Sequence, residues 1–249
     1  MHCLATKSIK NLKAAQVGDF LANNFFVPVY GDEVMPVKPD VALKTGRFNK
    51  VDLIYGVTRN EGSSFAAPIL PEMANPSYNY TFETAKAAIL KMLAIYRVNR
   101  VEALEIADFY LKNGTHFTQN QFRVALSNVW GDRHLVCPTV LMAEEMARHN
   151  QPLSSPQNGD KTSKFYAYRL MQSFEPPPTG TPAWVGVTHG QDGSFIFPDP
   201  AKHLSPVQKQ LSDNMIQAWA AFAKTGTPTS MKTTGASSGN GTTVWEEAF

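Results

Sequence analysis

The chain has 249 residues, a formal charge of +2 at pH 7, and hydrophobic residues at 43% of its positions. This length and composition are typical of one sizeable globular domain, or of part of a larger one. The small, evenly scattered charge argues against nucleic acid as a partner, and no apolar run approaches the roughly 18 residues that a membrane span needs. The two cysteines, Cys3 and Cys137, are too few for a disulfide scaffold.

The first part of the chain contains one helix and one strand by its sequence pattern. Residues 1–15 are predicted to form a short helix with Ser8 as its N-cap. Residues 51–57 form a nearly all-apolar run whose length and β-branched content favour a strand buried on both faces, as in a parallel sheet. Glu61 follows this strand, at the end where open α/β sheets build their sites. An exposed turn glutamate would fit the same position, so the pattern alone leaves its role open.

The middle of the chain, residues 82–149, is predicted to be mainly helical. Thr81 is a fitting N-cap for the first helix, a second helix covers 101–112, and a third covers about 138–149. Apolar residues recur on one face of the first helix with helical spacing. That predicted buried face carries Phe82, Ala85, Ile89, Met92, Leu93 and Tyr96.

Asp132 and His134, just before the third predicted helix, raise the question of a metal site. A protein-bound metal ion needs three or four ligands, and these two residues have no further spaced partners of the right type. We therefore predict no metal ion here, and no cofactor.

The second half of the chain begins with a polar loop at 151–163 and a second strand candidate at 165–171. The clearest helix follows Ser205, which opens a capping box with proline at the first helical position, and it should end near Gly226. Residues 230–243 are rich in Ser, Thr and Gly and are predicted to form a flexible loop. The buried stripe of the helix is predicted to be Leu204, Val207, Leu211, Met215, Trp219 and Phe222.

His189 lies next to a glycine in the segment 184–197, which is predicted to be a loop gripped by apolar residues at both ends. A lone loop histidine is more often a solvated residue than a base. A glutamate after one strand and a histidine after the next, however, make two parts of a nucleophilic triad. Glu61 precedes His189, as the chain order of α/β-hydrolases requires. We expect the two side chains to approach within about 2.6–3.2 Å.

Four segments of the chain carry motifs in a recognisable order and with recognisable gaps: 56–65, 130–138, 182–190 and 219–228. Together they resemble the carboxylesterase type-B family, which includes the cholinesterases. The resemblance implies an α/β fold in which residues 1–249 are the C-terminal portion of a single α/β-hydrolase domain, with a few parallel core strands and a large helical insertion. It also implies that Glu61 is the triad acid and His189 the triad histidine.

The sequence departs from the family pattern at two places. After His189 the family usually has Gly-x-Glu and then an apolar or acidic pair before its phenylalanine, whereas this chain has Asp192 and Gly193, which leaves the shape of the pocket open but not the triad pair. The family's Gly-x-Ser-x-Gly elbow and its glycine-rich oxyanion loop precede the acid, and nothing before Glu61 matches either. The one literal match, at 235–239, follows the histidine without the strand and helix that an elbow needs, so we interpret it as coincidence.

These observations are interpreted as the C-terminal portion of a serine ester hydrolase that cleaves small-molecule carboxylic esters. The chain would supply Glu61 and His189 but no nucleophile, so alone it should not hydrolyse esters. It should also be poorly stable, because the strand at 51–57 suits a central position and would have an unpaired edge without its upstream neighbours.

A second interpretation is a non-catalytic, cholinesterase-like domain used for adhesion or partner binding, because a parent without the serine would look the same in this chain. Sequons at Asn79, Asn113 and Asn240 lean toward a secreted or extracellular glycoprotein. Membrane attachment through other parts of the parent and the oligomeric state are left open. By the resemblance, the partners of Cys3 and Cys137 lie elsewhere, so we predict that the two are not bonded to each other.

Overall fold

A computed structural model describes most of the chain, and it divides into two compact units, Met1–Ala42 and Leu43–Phe249. None of its described helices is long and apolar enough to cross a membrane. The described residues are 5–15, 28–112, 114–150, 162–174, 180–200, 204–229, 231–232 and 242–243.

The first unit contains helix α1 (Ile9–Ala15), and helix α2 (Pro39–Thr45) crosses its boundary with the second unit. Ser8 is the N-cap of α1 as predicted, because its hydroxyl accepts a hydrogen bond from the backbone N–H of Asn11 at 3.2 Å. The helix that Ser8 caps therefore begins at Ile9, and residues 1–4 of the predicted helix lie outside the described residues. Between the two helices, a carboxylate oxygen of Asp32 closes a short turn by accepting from the next backbone amides.

The second unit contains the two predicted strands, and they are parallel neighbours. β1 (Leu53–Thr58) pairs with β2 (Phe165–Leu170) in a register that joins first residue to first residue and last to last. Two further strands, β3 (Met231–Lys232) and β4 (Thr242–Thr243), form a short antiparallel pair. They belong to the segment 230–243, predicted as a flexible loop, and the rest of that segment lies outside the described residues.

The second unit is mainly helical, and the helices Cys137–Arg148 and Pro206–Thr225 contact β1 and β2 respectively. Three of the predicted helices are confirmed within a few residues at each end as α4, α5 and α7, and the capped helix is confirmed as α9. In full, the helices are α3 (Ser63–Ile69), α4 (Phe82–Ile95), α5 (Arg100–Tyr110), α6 (Gln119–Gly131), α7 (Cys137–Arg148), α8 (Gln191–Ile196) and α9 (Pro206–Thr225), with a π-helical turn at Asp132–Val136 and 3-10 turns at Pro71–Ala74, Gly114–His116 and Ala183–Val185.

Helix α6 is absent from the predicted helices, although its N-terminus has a clear signal. The hydroxyl of Thr118 accepts from the backbone N–H of Gln121, and the side chain of Gln121 accepts from the backbone N–H of Thr118 at 2.8 Å. This reciprocal capping box satisfies two amides that would otherwise lack partners. The helix then packs with α4 and α5 into one layer. Ile89 of α4 and Leu126 of α6 are completely buried in it.

A buried arginine fastens the segment before α4 to this helical layer. Arg123 of α6 is only 4% exposed. Its guanidinium donates to four carbonyls, which uses four of its five N–H donors without an acidic partner. The acceptors are the carbonyl oxygens of Met73, Asn75, Tyr78 and Gln119.

The buried stripe of α9 differs from the predicted one at its N-terminal end. Val207 is 57% exposed, whereas Gln208 and Ser212 are almost completely buried. The reason is hydrogen bonding, since Gln208 donates to the carbonyl of Ser173 at 3.2 Å and Ser212 donates to the carbonyl of Phe195 at 2.6 Å. Polar residues with such partners can take core positions. The buried cluster at the centre of this packing comprises Leu170, Val187, Phe195 and Met215.

Candidate active site

Glu61 lies at the carboxyl end of β1 and is held by both of its side-chain oxygens. It is 6% exposed. Its Oε1 accepts from the backbone N–H of Thr58 at 2.5 Å, and its Oε2 lies 2.7 Å from Nδ1 of His189. The predicted approach of Glu61 to His189 is therefore confirmed as a matter of geometry. Because an ionised carboxylate only accepts, the imidazole donates through Nδ1–H, which leaves Nε2 as the nitrogen able to take a proton.

The ring of His189 is open to solvent on one side and contacts an aromatic residue on another. Its side chain is 47% exposed. Phe65, from the first turns of α3, meets the imidazole edge-on at a centroid distance of 5.5 Å and is itself stacked on Trp130 at 4.5 Å. Helix α3, which follows Glu61, and the segment that carries His189 are thus joined by a ring contact as well as by the hydrogen bond between Glu61 and His189. A half-exposed imidazole whose Nδ1 is fixed by a carboxylate is the arrangement that a general base requires.

The segment that carries His189 is only partly the predicted loop. It contains the 3-10 turn Ala183–Val185 before the histidine and the short helix α8 after it. Phe195 anchors the far side as predicted, with no exposed surface, but Phe197 is 81% exposed and anchors nothing. The chain turns away from the core after α8, so the apolar run at 195–197 is buried at its first residue and exposed at its last.

Two hydrogen bonds join the turn that carries Glu61 to the segment that carries His189, residues 184–197. The backbone N–H of Asn60 donates to the carbonyl of Val187 at 2.9 Å, and the backbone N–H of Val187 donates to Oδ1 of Asn60 at 3.0 Å. Asn60 and Val187 are 7% and 2% exposed. Neither residue was identified as a site residue from the sequence, since no local pattern marks a contact between positions 127 residues apart.

A close backbone contact places α3 against the C-terminal part of α6. A Cβ atom on Gly62 would lie 1.9 Å from the carbonyl oxygen of Ser127 and 2.6 Å from the backbone nitrogen of Gly131. A Cβ atom on Gly131 would lie 2.6 Å from the backbone nitrogen of Gly62. Since Gly62 follows Glu61 directly, this contact ties the position of the carboxylate to α6.

Asp192, one of the departures noted in the sequence, is held by a tyrosine of β2. The hydroxyl of Tyr168 donates to Oδ2 of Asp192 at 2.5 Å. Burial raises the pKa of the Tyr168 hydroxyl, and the hydrogen bond to Asp192 and the negative charges of Asp192 and Glu61 raise it further. The phenol therefore stays protonated and donating at neutral pH. Asp192 thus braces α8, which begins two residues after His189.

Asp132 and His134 have other partners in the structure. Asp132 accepts from the hydroxyl of Tyr110 at 2.5 Å. His134 stacks on Trp130 at a centroid distance of 4.4 Å, and its Nδ1 lies 3.0 Å from the Trp130 carbonyl. Burial lowers the pKa of His134, and the positive charge of Arg133 lowers it further. Within the described part of the chain, no group of three His, Cys, Asp or Glu side chains is placed to hold a metal ion.

The remaining site predictions concern the two cysteines and the Gly-x-Ser-x-Gly match. Cys137 carries a free, exposed thiol, which agrees with the prediction that it is not bonded to Cys3. Burial, and then the charge of Asp132, raise the pKa of that thiol. Cys3 and the Gly-x-Ser-x-Gly match at 235–239 lie outside the described residues.

Comparison with known proteins gives consistent matches along the chain. The model of the Carboxylesterase family matches residues 1–248. An acetylcholinesterase of Bungarus fasciatus is 29% identical over 213 residues, which cover 82% of this chain and 32% of that protein. An acetylcholinesterase-1 of Trittame loki is 26% identical over 208 residues, which cover 81% of this chain and 34% of that protein. The chain thus spans about a third of the length of these curated relatives.

Proposed function

The chain belongs to the carboxylesterase family, and we propose that it supplies the acid and the histidine of a Ser-His-Glu triad to a longer serine ester hydrolase. Glu61 and His189 are the proposed catalytic residues. The observation that carries the proposal is the 2.7 Å contact between Nδ1 of His189 and Oε2 of Glu61, at the carboxyl end of a parallel strand. The substrate is a small-molecule carboxylic ester, and no cofactor takes part.

Each group has a defined step in this mechanism. Nε2 of His189 takes the proton of the serine hydroxyl while the serine oxygen attacks the acyl carbon. Glu61 keeps the imidazole in the tautomer with its proton on Nδ1 and stabilises the imidazolium that forms. The imidazolium then gives its proton to the departing alcohol, which leaves an acyl-enzyme. Nε2 then takes a proton from water while the water oxygen attacks the acyl carbon, and the serine oxygen leaves with that proton from the imidazolium as the carboxylic acid is released.

The finer architecture follows from the same assignment. The family implies an α/β-hydrolase fold, and the parallel pairing of β1 with β2 is consistent with it. We propose that residues 1–249 are the C-terminal portion of one such domain and that helices α4 to α7, between the two strands, are its large helical insertion. The upstream portion would supply the elbow serine, the oxyanion donors and further strands, and the parent would act outside the cell.

The test is ester hydrolysis by the parent protein and its variants. Glu61→Gln and His189→Gln should each lower kcat for an activated carboxylic ester by about 10²–10⁴-fold, since each removes a part of the proton-transfer machinery. Matched controls are Glu145→Gln, which breaks an exposed ion pair with Arg148, and His149→Gln. Both controls should retain nearly full activity. Unchanged turnover in the two site variants would contradict the triad assignment.

The chain of 249 residues alone should not turn over the ester, because removing one oxyanion donor already costs about 10²–10³ in rate and the nucleophile is missing as well. A soluble monomer whose turnover vanishes on Ser237→Ala would contradict this expectation. The residue at the elbow of the parent separates the two interpretations. Serine there supports the hydrolase, and glycine or another residue supports a cholinesterase-like adhesion or partner-binding protein.

A further inference from the structure

We propose that Asn60 is a positioning residue that sets the distance between Glu61 and His189. The proposal rests on the proposed function and identifies how its two side chains are held together. Asn60 directly precedes the acid, and Val187 lies two residues before the histidine. A contact between these two positions therefore acts on the backbone of both proposed catalytic residues.

The contact is a pair of hydrogen bonds that use both functional parts of Asn60. Its backbone N–H donates to the carbonyl of Val187, and its side-chain Oδ1 accepts from the N–H of Val187. The carbonyl of Asn60 accepts from the backbone N–H of Ser63 at 3.1 Å and from the hydroxyl of Ser63 at 2.9 Å. The residue is thus fixed to the first turn of α3 on one side and to the histidine segment on the other.

The histidine segment is shaped to receive this side chain. Gly186 has φ +60°, a conformation that residues with a Cβ rarely adopt. A Cβ on Gly186 would also lie 2.2 Å from Oδ1 of Asn60 and 2.8 Å from its Cγ. The amide of Asn60 occupies the space that the side chain of any other residue at 186 would fill. The Asn60 side chain therefore requires glycine at position 186, and we call this pair of positions, with the hydrogen bonds from Asn60 to Val187, the lock.

The lock matters because the His189 ring is half exposed. Packing around the ring therefore restrains it only in part, whereas Glu61 is buried and already fixed through Thr58. With Val187 bound to Asn60, only Thr188 separates the fixed backbone from His189. The ring is thereby kept within hydrogen-bonding reach of the carboxylate in the resting protein, which is the preorganisation that catalysis requires.

The experiment is proton NMR of the parent protein that contains this chain, because the isolated chain is expected to be poorly stable. An imidazole Nδ1–H that is hydrogen-bonded to a carboxylate gives a low-field resonance that exchanges slowly with water, and His189→Gln assigns it by its loss. Asn60→Leu keeps similar bulk but removes the acceptor, and Asn60→Asp keeps an acceptor oxygen at Oδ1. The indole N–H of Trp130, which donates to the hydroxyl of Tyr96 at 3.1 Å, reports separately that the fold is intact.

The expected result is a low-field resonance in the unmodified protein and in Asn60→Asp, and its loss in Asn60→Leu while the Trp130 signal persists. An Asn60→Leu variant that keeps the resonance with the same exchange rate would overturn the positioning role. If Asn60→Leu also loses the Trp130 signal, Asn60→Ala, which opens space, takes its place. Loss of both signals there too would assign a general structural role and overturn the proposal.

The outcome separates this proposal from the proposed function. A resonance missing from the unmodified protein would overturn the lock together with the Glu61–His189 pair that it is said to hold. A parent protein that hydrolyses esters independently of His189 would defeat the proposed function but leave the comparison between Asn60→Leu and Asn60→Asp unchanged.

Discussion

The helical layer of α4, α5 and α6 and the strand β1 belong to the same compact unit but are buried to very different extents. Ile89 and Leu126 of the layer have no exposed surface. In β1 only the last residue, Thr58, is buried, and Val51 just before the strand is 52% exposed. The sequence of β1 is at least as apolar as that of the helices, so hydrophobicity alone does not explain the difference.

The difference lies in how many partners each element has. Each helix of the layer packs against the other two, whereas β1 pairs only with β2 among the described strands. The amides of Leu53 and Arg59 donate to the segment of β2, so the alternate residues Ile54 and Gly56 direct theirs to the other edge. The three helices of the layer bury one another's apolar faces, while the edge of β1 away from β2 is suited to pairing with a further strand.

The largest expected difference comes from truncating one side chain in the helical layer and one in β1. Leu126→Ala should lower the free energy of unfolding by about 2–5 kcal/mol, because it leaves a cavity in a completely buried site. Ile54→Ala in half-buried β1 should cost less than half as much. Urea unfolding of the two variants measures both values. Equal losses would mean that β1 is as well packed as the helices.

The capping box of α6 tests whether the layer depends on its local signals as well as on its core. Thr118→Ala removes the hydroxyl that caps Gln121 and should cost about 1 kcal/mol of stability. Thr118→Ser, which keeps the hydroxyl, is the control and should cost much less. A thermal unfolding series gives the comparison, and identical melting temperatures would show that the cap contributes nothing.

His134, in the π-helical turn that follows α6, gives this region a dependence on acid pH, whereas the titratable residue of β1, Tyr55, has a pKa that burial raises from its already alkaline usual value. The native pKa of His134 is lowered from 6.5 by burial, so the unfolded chain binds the proton more readily. The stability contributed by the neutral ring is present above pH 6.5 and is lost as the pH falls from there to the lowered native value. His134→Gln should therefore flatten the acid side of the stability curve between pH 7 and 5. An unchanged slope would contradict the assignment.

The smallest expected effect on stability concerns the surface beside β1. Leu141 of α7, a helix that packs next to β1, is 60% exposed. Leu141→Lys should change stability by less than about 0.5 kcal/mol but reduce aggregation and the binding of a hydrophobic dye. Val101→Lys, at a site 69% exposed on α5, is the matched control. Equal reductions in dye binding by both variants would contradict the expectation that the apolar surface beside β1 binds more dye than the surface of α5.

The site could be predicted from the sequence only as far as motif residues carry it. Glu61 and His189 were identifiable because each follows a strand and each lies in a family motif. The pair of hydrogen bonds between Asn60 and Val187 was not, because it depends on backbone geometry created by the fold and on Gly186 at positive φ. No periodicity or spacing records such a contact.

The fold shows a similar division. The strands and α9 were predicted because apolar runs, caps and prolines act locally. Helix α6 was not predicted, because it begins with polar Gln and Asn residues and its apolar periodicity starts only after them. The burial of Gln208 in place of Val207 could not be predicted either, since periodicity counts apolar residues and takes no account of the distant carbonyl that Gln208 binds.

The contact between Gly62 and Gly131 has a consequence for how the protein can change over evolutionary time. The atoms that exclude a side chain at either position are backbone atoms, which every residue type has. No second substitution nearby can make room, so neither glycine has a compensating partner in the mutational landscape. Saturation mutagenesis should find no tolerated substitution at Gly62 or Gly131, whatever other substitutions the protein carries. A protein that replaces either glycine must displace a whole helix, and that displacement also moves Glu61.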